Sequence, residues 1–197
     1  MPVLLGVLWP LERLNGFLLM IGRIAAVVAL AVMVVLILGQ VFFRYVLNDA
    51  PNWTEEAARF GMLWMTGLMA PVAYRRGGFV SIDMLGRFLP RLAAALLSLV
   101  LLSITMWVLL ILWERGLNNH IDTMSGRGRL PALRLPLDLL GGDSLRFRNW
   151  WMFASLWVGI NLLILVNLEL MLRQIVTLLG GADRLRPLPD TNALSAE

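Results

Sequence analysis

Residues Ile24–Phe43, IAAVVALAVMVVLILGQVFF, hold 20 positions without one charged side chain. As a helix with a rise of about 1.5 Å per residue, such a run covers about 30 Å, the hydrocarbon thickness of a bilayer. Two further runs have the same character, Leu92–Trp113 with 22 residues and Trp150–Leu168 with 19. A fourth, Phe60–Tyr74, has 15, which alone is short for a span. It gains length if its helix runs from near Trp53 to near Arg76, with Arg59 and the flanking charges reaching outward. The runs predict an all-α integral membrane protein with four transmembrane helices, spanning about 21–45, 53–76, 91–114 and 149–173. Before the first span, Pro10–Met20 sets Leu11, Leu14, Phe17 and Leu18 against Glu12, Arg13 and Asn15. That spacing predicts an amphipathic helix lying in the interface and leading into the span.

Composition agrees with the runs. Hydrophobic residues make up 59% of the 197, charged residues only 15%, and mean hydropathy is +0.76. A soluble chain this short has no core large enough to hide so much apolar surface. All 17 basic residues are arginine. The absence of lysine excludes a P-loop nucleotide site and Schiff-base chemistry. With no cysteine there is no disulfide, thiolate metal site, iron–sulfur cluster or cysteine nucleophile. The single His120 cannot supply a multi-histidine zinc site or a pair of haem ligands. No catalytic residue, metal or cofactor is expected.

Residues 1–179 read as one membrane domain, followed by a polar tail, 180–197, that contains Pro187 and Pro189. The apolar Val3–Trp9 stretch has no basic region before it and no small-residue cleavage site after it, so it is a poor secretory signal. Nine arginines fall on one side of this plan and eight on the other. The denser Arg75–Arg91 loop favours cytoplasmic termini. Small residues cluster at Gly22, Ala25, Ala26 and Ala29, and again at Gly61, Gly67 and Ala70. Either a partner's helix or the chain's own helices would pack there. Pro71 opposes the Gly67 carbonyl and predicts a kink.

The most informative stretch is Phe43–Asp83, FRYVLNDAPNWTEEAARFGMLWMTGLMAPVAYRRGGFVSID. Asn48, Asp49 and Pro51 form a turn. Asn52 or Thr54 caps a helix whose first turn holds Glu55 and Glu56, where the helix dipole favours acids. Glu55 and Arg59 stand at i,i+4. Arg75 and Arg76 close the helix, and Gly77–Gly78 stops it. Each charge therefore has a local structural role, and the same residues also make a candidate interface. Elsewhere, Glu169 and Arg173 read as an i,i+4 pair at the end of the fourth span. Gln40, Asn161 and Asn167 are intramembrane polar groups for helix–helix hydrogen bonds. His120 and the Ser125–Arg129 segment read as loop.

The order of these residues resembles the small membrane subunit (DctQ-like family) of tripartite ATP-independent periplasmic (TRAP) transporters. The resemblance rests on Arg44-Tyr45-Val46-Leu47-Asn48, then Pro51, Trp53 and Glu55-Glu56, then Arg75-Arg76-Gly77-Gly78 and Asp83. Leu47 and Phe79 depart from the family's usual Phe and His. The resemblance implies a non-catalytic small permease subunit that scaffolds a large membrane subunit as a heterodimer. The pair would use an ion gradient, sodium above all, to take up an organic acid delivered by a periplasmic solute-binding protein. It places the chain in the bacterial inner membrane, multi-pass, with membrane lipids and no nucleic acid around it. The subunit interface would include Arg44, Tyr45, Asn48, Pro51, Trp53, Glu55, Glu56, Arg59, Arg75, Arg76, Gly77, Gly78 and Asp83. The 36-residue Glu114–Asn149 loop would then be periplasmic, and Arg127, Arg129 and Arg134 are its candidate docking charges for the binding protein. The alternative is a membrane anchor subunit of a redox enzyme complex, against which the missing histidines and cysteines argue.

Overall fold

The computed structural model describes residues 2–48, 53–76, 90–116, 129–135, 145–148, 150–181 and 185. Its elements in order are α1 (Pro2–Tyr45), α2 (Trp53–Arg75), α3 (Arg91–Arg115), β1 (Arg129–Leu135), β2 (Leu145–Arg148) and α4 (Trp150–Leu178). Among the described residues, three helices are long and apolar enough to cross a membrane: Gly6–Tyr45 of α1, Leu92–Arg115 of α3 and Trp151–Leu178 of α4. α2 is not among them: Glu55, Glu56 and Arg59 stand in its first two turns, and Gly61, Thr66, Gly67 and Pro71 make the rest less apolar than the other helices. Its 23 residues still give a length of about 34 Å.

The amphipathic segment expected ahead of the first span is not a separate helix. α1 runs without a break through Pro10 for 44 residues, a length of about 66 Å. Pro10, the ninth residue of α1, is an interior proline: it gives up the hydrogen bond to the Gly6 carbonyl, and the helix continues past it. α1 ends at Tyr45, and Asn48 takes a left-handed φ of 56° as the chain turns. At the end of α4, Gly180 has φ 80°. There Gly181 N–H reaches the Val176 carbonyl at 2.9 Å and Gly180 N–H the Thr177 carbonyl at 3.0 Å. This paired closure is the reason a glycine stands at that position.

To the helices the structure adds an antiparallel strand pair between α3 and α4, where the sequence predicted only loop. Arg134 pairs with Arg146 and Leu135 with Leu145, and the register then shifts before Arg129 meets Arg148. Pro131 lies within the shifted stretch, and having no N–H it cannot continue the ladder.

The chain divides into two compact units. The first comprises Met1–Ile21, Ala70–Leu112 and Ile160–Glu197, and the second Gly22–Met69 and Trp113–Gly159. The first unit's core is Leu19, Val72, Tyr74 and Val166, with Leu102, Leu163 and Leu170 packed against it. A third of α4's apolar window is buried (33%) against 6% for α1 and for α3. The outer faces of α1 and α3 remain apolar, with Val35, Leu38, Leu92 and Trp107 all exposed. Contiguous apolar exposure on this scale suits hydrocarbon and not water.

Candidate functional site

In the first unit, charged side chains from three helices meet largely withdrawn from solvent. Glu169 on α4 is fully buried, and its Oε1 accepts from Arg75 Nη2 at 2.8 Å and Arg75 Nε at 3.2 Å. Its Oε2 accepts from Asn15 Nδ2 of α1 at 2.7 Å, and the same amide reaches the Leu165 carbonyl at 3.1 Å. Arg173, one turn along α4, lies 3.4 Å from Glu169 and 2.8 Å from Glu12 of α1. Arg75 Nη2 also donates to the Glu12 main-chain carbonyl at 3.4 Å. Two arginines and two glutamates thus form a neutral group, and the most exposed side chain of the four is 13% accessible.

The local sequence explains how each member arrives. Arg75 is the last residue of α2 and Glu169 follows α4's uncharged run. Glu12 and Asn15 are three apart on α1, hence on one helix face, with Leu8 and Leu19 buried on the same face. An isolated buried charge costs several kcal/mol or more, which is why none of these is single. The predicted Glu169–Arg173 pair is present, but it is one edge of a larger buried group and not a solvated interface pair. Arg75 stands in the last turn of α2 as expected, and it is also an ion-pair partner for Glu169 of α4. Glu12 and Asn15 were not among the candidate site residues. The sequence set them on the polar side, opposite Leu14 and Phe17, whereas the structure buries Asn15 and leaves Leu14 and Phe17 exposed.

A second buried polar contact lies in the same unit. Tyr74 Oη donates to Asn167 Oδ1, and Asn167 Nδ2 donates to the Leu102 carbonyl of α3 at 3.1 Å. Gln174 Nε2 reaches the Ala95 carbonyl at 3.2 Å. Asn167 therefore acts as the interhelical polar group expected of it.

The second unit contains most of the motif residues. Arg44 and Tyr45 are exposed at the end of α1, as are Trp53, Glu55 and Arg59 on α2, while Glu56 is half-buried. Glu55 and Arg59 form the expected i,i+4 pair at 2.6 Å with both side chains more than 60% exposed. Arg44 makes no ion pair with Glu55 or Glu56 among the described residues. Arg76, exposed, follows α2. Pro51, Gly77, Gly78, Asp83, Arg127 and His120 lie outside the described residues. Arg129 and Arg134 fall on β1.

The small residues of this unit serve internal packing. A Cβ built on Gly67 would fall 2.5 Å from the Ser155 carbonyl oxygen, and one on Gly159 would fall 2.7 Å from the Gly67 carbonyl oxygen. Pro71 offers no N–H to that Gly67 carbonyl, and Gly159 leaves room for it. Gly61 meets Ala29 and Met33, and Gly22 meets Leu68, each at ordinary contact distance. Among the described residues, no three His, Cys, Asp or Glu side chains gather as a metal site.

The family model described as "Tripartite ATP-independent periplasmic transporters, DctQ component" matches residues 33–177 of this chain. Comparisons with curated proteins and with solved structures gave no match. The matched segment runs from the last third of α1 to the last turn of α4. It includes every motif residue above, together with Arg75, Glu169 and Arg173 of the buried group, whereas Glu12 and Asn15 precede it. Order of motifs, apolar helices and family match agree: the chain belongs to the DctQ family, a component of TRAP transporters.

Proposed function

We propose that this chain is the non-catalytic small permease subunit that braces the large membrane subunit of a TRAP transporter. The observation that carries the reading is the family match over residues 33–177. The buried charges support it, because they satisfy one another and tie α1, α2 and α4 together. The reading as an anchor for a redox enzyme gives way to the family.

The chain crosses the inner membrane four times, α2 making the remaining span, with both termini in the cytoplasm. The large subunit carries solute and ion, a binding protein delivers an organic acid, and a sodium gradient drives uptake. The motif around Arg44, Glu55, Glu56 and Arg59 forms part of the contact with the large subunit. Arg44, Glu55 and Arg59 are exposed, as an interface requires.

Reconstitution tests this reading directly. Liposomes holding both membrane subunits and supplied with binding protein should take up solute on a sodium gradient, and liposomes holding this chain alone should take up none. Uptake by the purified chain alone would overturn it. Arg44→Ala should lower the yield of the co-purified heterodimer while the assembled fraction keeps its apparent solute affinity. Normal assembly with altered affinity would instead place Arg44 at a solute site.

A further inference from the structure

Arg23 stands halfway along α1, the twenty-second of its 44 residues. Its side chain is exposed, and among the described residues it has no ion-pair partner. Acids elsewhere are already engaged, Glu12 with Arg173, Glu169 with Arg75 and Glu55 with Arg59.

The helices packed beside Arg23 set its level. Within the second unit Gly22 meets Leu68 and Gly61 meets Ala29. α1 and α2 are therefore antiparallel here, and each step forward along α1 matches one step back along α2. Arg23 is level with Gly67, the central residue of α2's uncharged run Phe60–Tyr74. Either end of that run is seven residues, about 10 Å, away. Gly67 in turn packs against Ser155 and Gly159 of α4, and Gly159 is the central residue of the uncharged run Trp150–Leu168. With α2 and α4 as spans, Arg23 lies deep in the hydrocarbon on the exposed side of α1.

A charge at that depth is costly unless something pairs with it. Arginines near the ends of a span reach out to the headgroups, whereas Arg23 is level with the centre of two uncharged runs. Val27, Leu30 and Val34 follow it at intervals of four, three and four residues, the spacing of one helix face, and all three are exposed. α1 thus presents an apolar row with a single cation at its head. Lipid tails cover the apolar part of such a row and leave the cation unpaired. An apolar helix with one acid at the matching height covers both.

We infer that Arg23, Val27, Leu30 and Val34 of α1 seat a transmembrane helix of the large membrane subunit, one that carries an aspartate or glutamate at mid-membrane depth. The paired N–H donors of the guanidinium match the two oxygens of that carboxylate. None of the four residues belongs to the motif from Arg44 to Asp83, so this is a contact additional to the one proposed there. It rests on the reading of α2 as a span and of the chain as partner to a large subunit.

The test co-expresses the full chain with the large subunit and measures the heterodimer recovered in detergent. Arg23→Leu should lower recovery about tenfold, because the partner's carboxylate is left without its cation. Arg23→Lys, which keeps the charge, should retain most of it. Expressed alone, the leucine variant should reach the membrane in wild-type amount, since an apolar side chain at an exposed site suits lipid. A photoreactive p-benzoylphenylalanine in place of Val27 should cross-link to the large subunit, and Arg23→Leu should remove that cross-link. Normal heterodimer recovery with Arg23→Leu, or cross-links to lipid alone, would give this face to lipid and overturn the assignment. Loss of the leucine variant from the membrane when expressed alone would make Arg23 part of the chain's own fold and overturn it as well. Failure of the wild-type chain to form any heterodimer would overturn the proposed function itself, which tells the two failures apart.

Discussion

The two compact units hold their helices by different means. In the first, α1, α2 and α4 are joined through Glu12, Asn15, Arg75, Glu169 and Arg173, all largely withdrawn from solvent. In the second, α2 and α4 meet backbone to backbone at Gly67, Ser155 and Gly159. Lipid tails are as apolar as leucine, so hydrophobic burial does little to draw one membrane helix to another. What remains is polar pairing and close van der Waals contact: buried charges join the helices of the first unit, and the glycine crossing, with Trp64 Nε1 donating to the Trp151 carbonyl at 3.2 Å, joins those of the second. The difference also bears on tolerance. A charge group fails when one member is lost, while a glycine crossing fails when a side chain is added.

The largest expected effect follows from the first mode. Glu169→Ala leaves Arg75 and Arg173 buried beside each other without their shared acid. Removing one partner of a buried ion pair costs about 3–5 kcal/mol, measurable as reduced resistance of the purified chain to denaturing detergent. Replacing Glu169 and Arg75 together by Met should recover much of that loss, since no charge is then stranded. A loss below about 1 kcal/mol for Glu169→Ala, the range of exposed pairs, would show that solvent reaches the group and would erase the contrast between the units.

The second mode is tested by Gly67→Val. Its Cβ would lie 2.5 Å from the Ser155 carbonyl oxygen, so α2 and α4 must separate. Overpacking of this kind costs about 1–3 kcal/mol, read in the same denaturation assay. Gly39→Ala is the matched control, because nothing lies within 4 Å of its built Cβ. There alanine should stabilise by about 0.5–1 kcal/mol through helix propensity alone. Equal losses at Gly67 and Gly39 would remove the close crossing from the account.

The smallest effect is expected at the exposed motif pair. Glu55→Gln breaks an ion pair whose side chains are 63% and 68% accessible, and such pairs contribute about 0.2–1 kcal/mol. Denaturation of the isolated chain should barely change. Co-purification with the large subunit is where this substitution should register if the pair belongs to the interface. A large loss of the chain's own stability would class Glu55 with Glu169 as an internal tie.

What was legible in the sequence is what short-range chemistry encodes. The Glu55–Arg59 and Glu169–Arg173 pairs were both visible as i,i+4 spacings. The limits of α2 followed from its acidic first turn and its terminal arginines, and the closeness of packing at Gly67 from residue size. The partners of Arg75 were not visible, because Glu169 is 94 positions away and Asn15 approaches Glu169 across 154. Nothing in either neighbourhood names the other. The strand pair was hidden for a similar reason. RLPALRL has a proline and no alternation of apolar and polar residues, and its extended form rests on hydrogen bonds to β2.

The sequence by itself determined that the chain belongs in a membrane, where its apolar helices run and which family it joins. Those properties depend on uncharged length and on residues close in order, which need no knowledge of the folded shape. Only the tertiary structure decided which charges are neutralised inside the protein and which stay at its surface. Arg75 and Arg76 are neighbours in sequence, yet one is buried against Glu169 and the other is exposed. Burying a charge requires an opposite charge within a few ångströms, and that distance is set by helix packing, not by residue order.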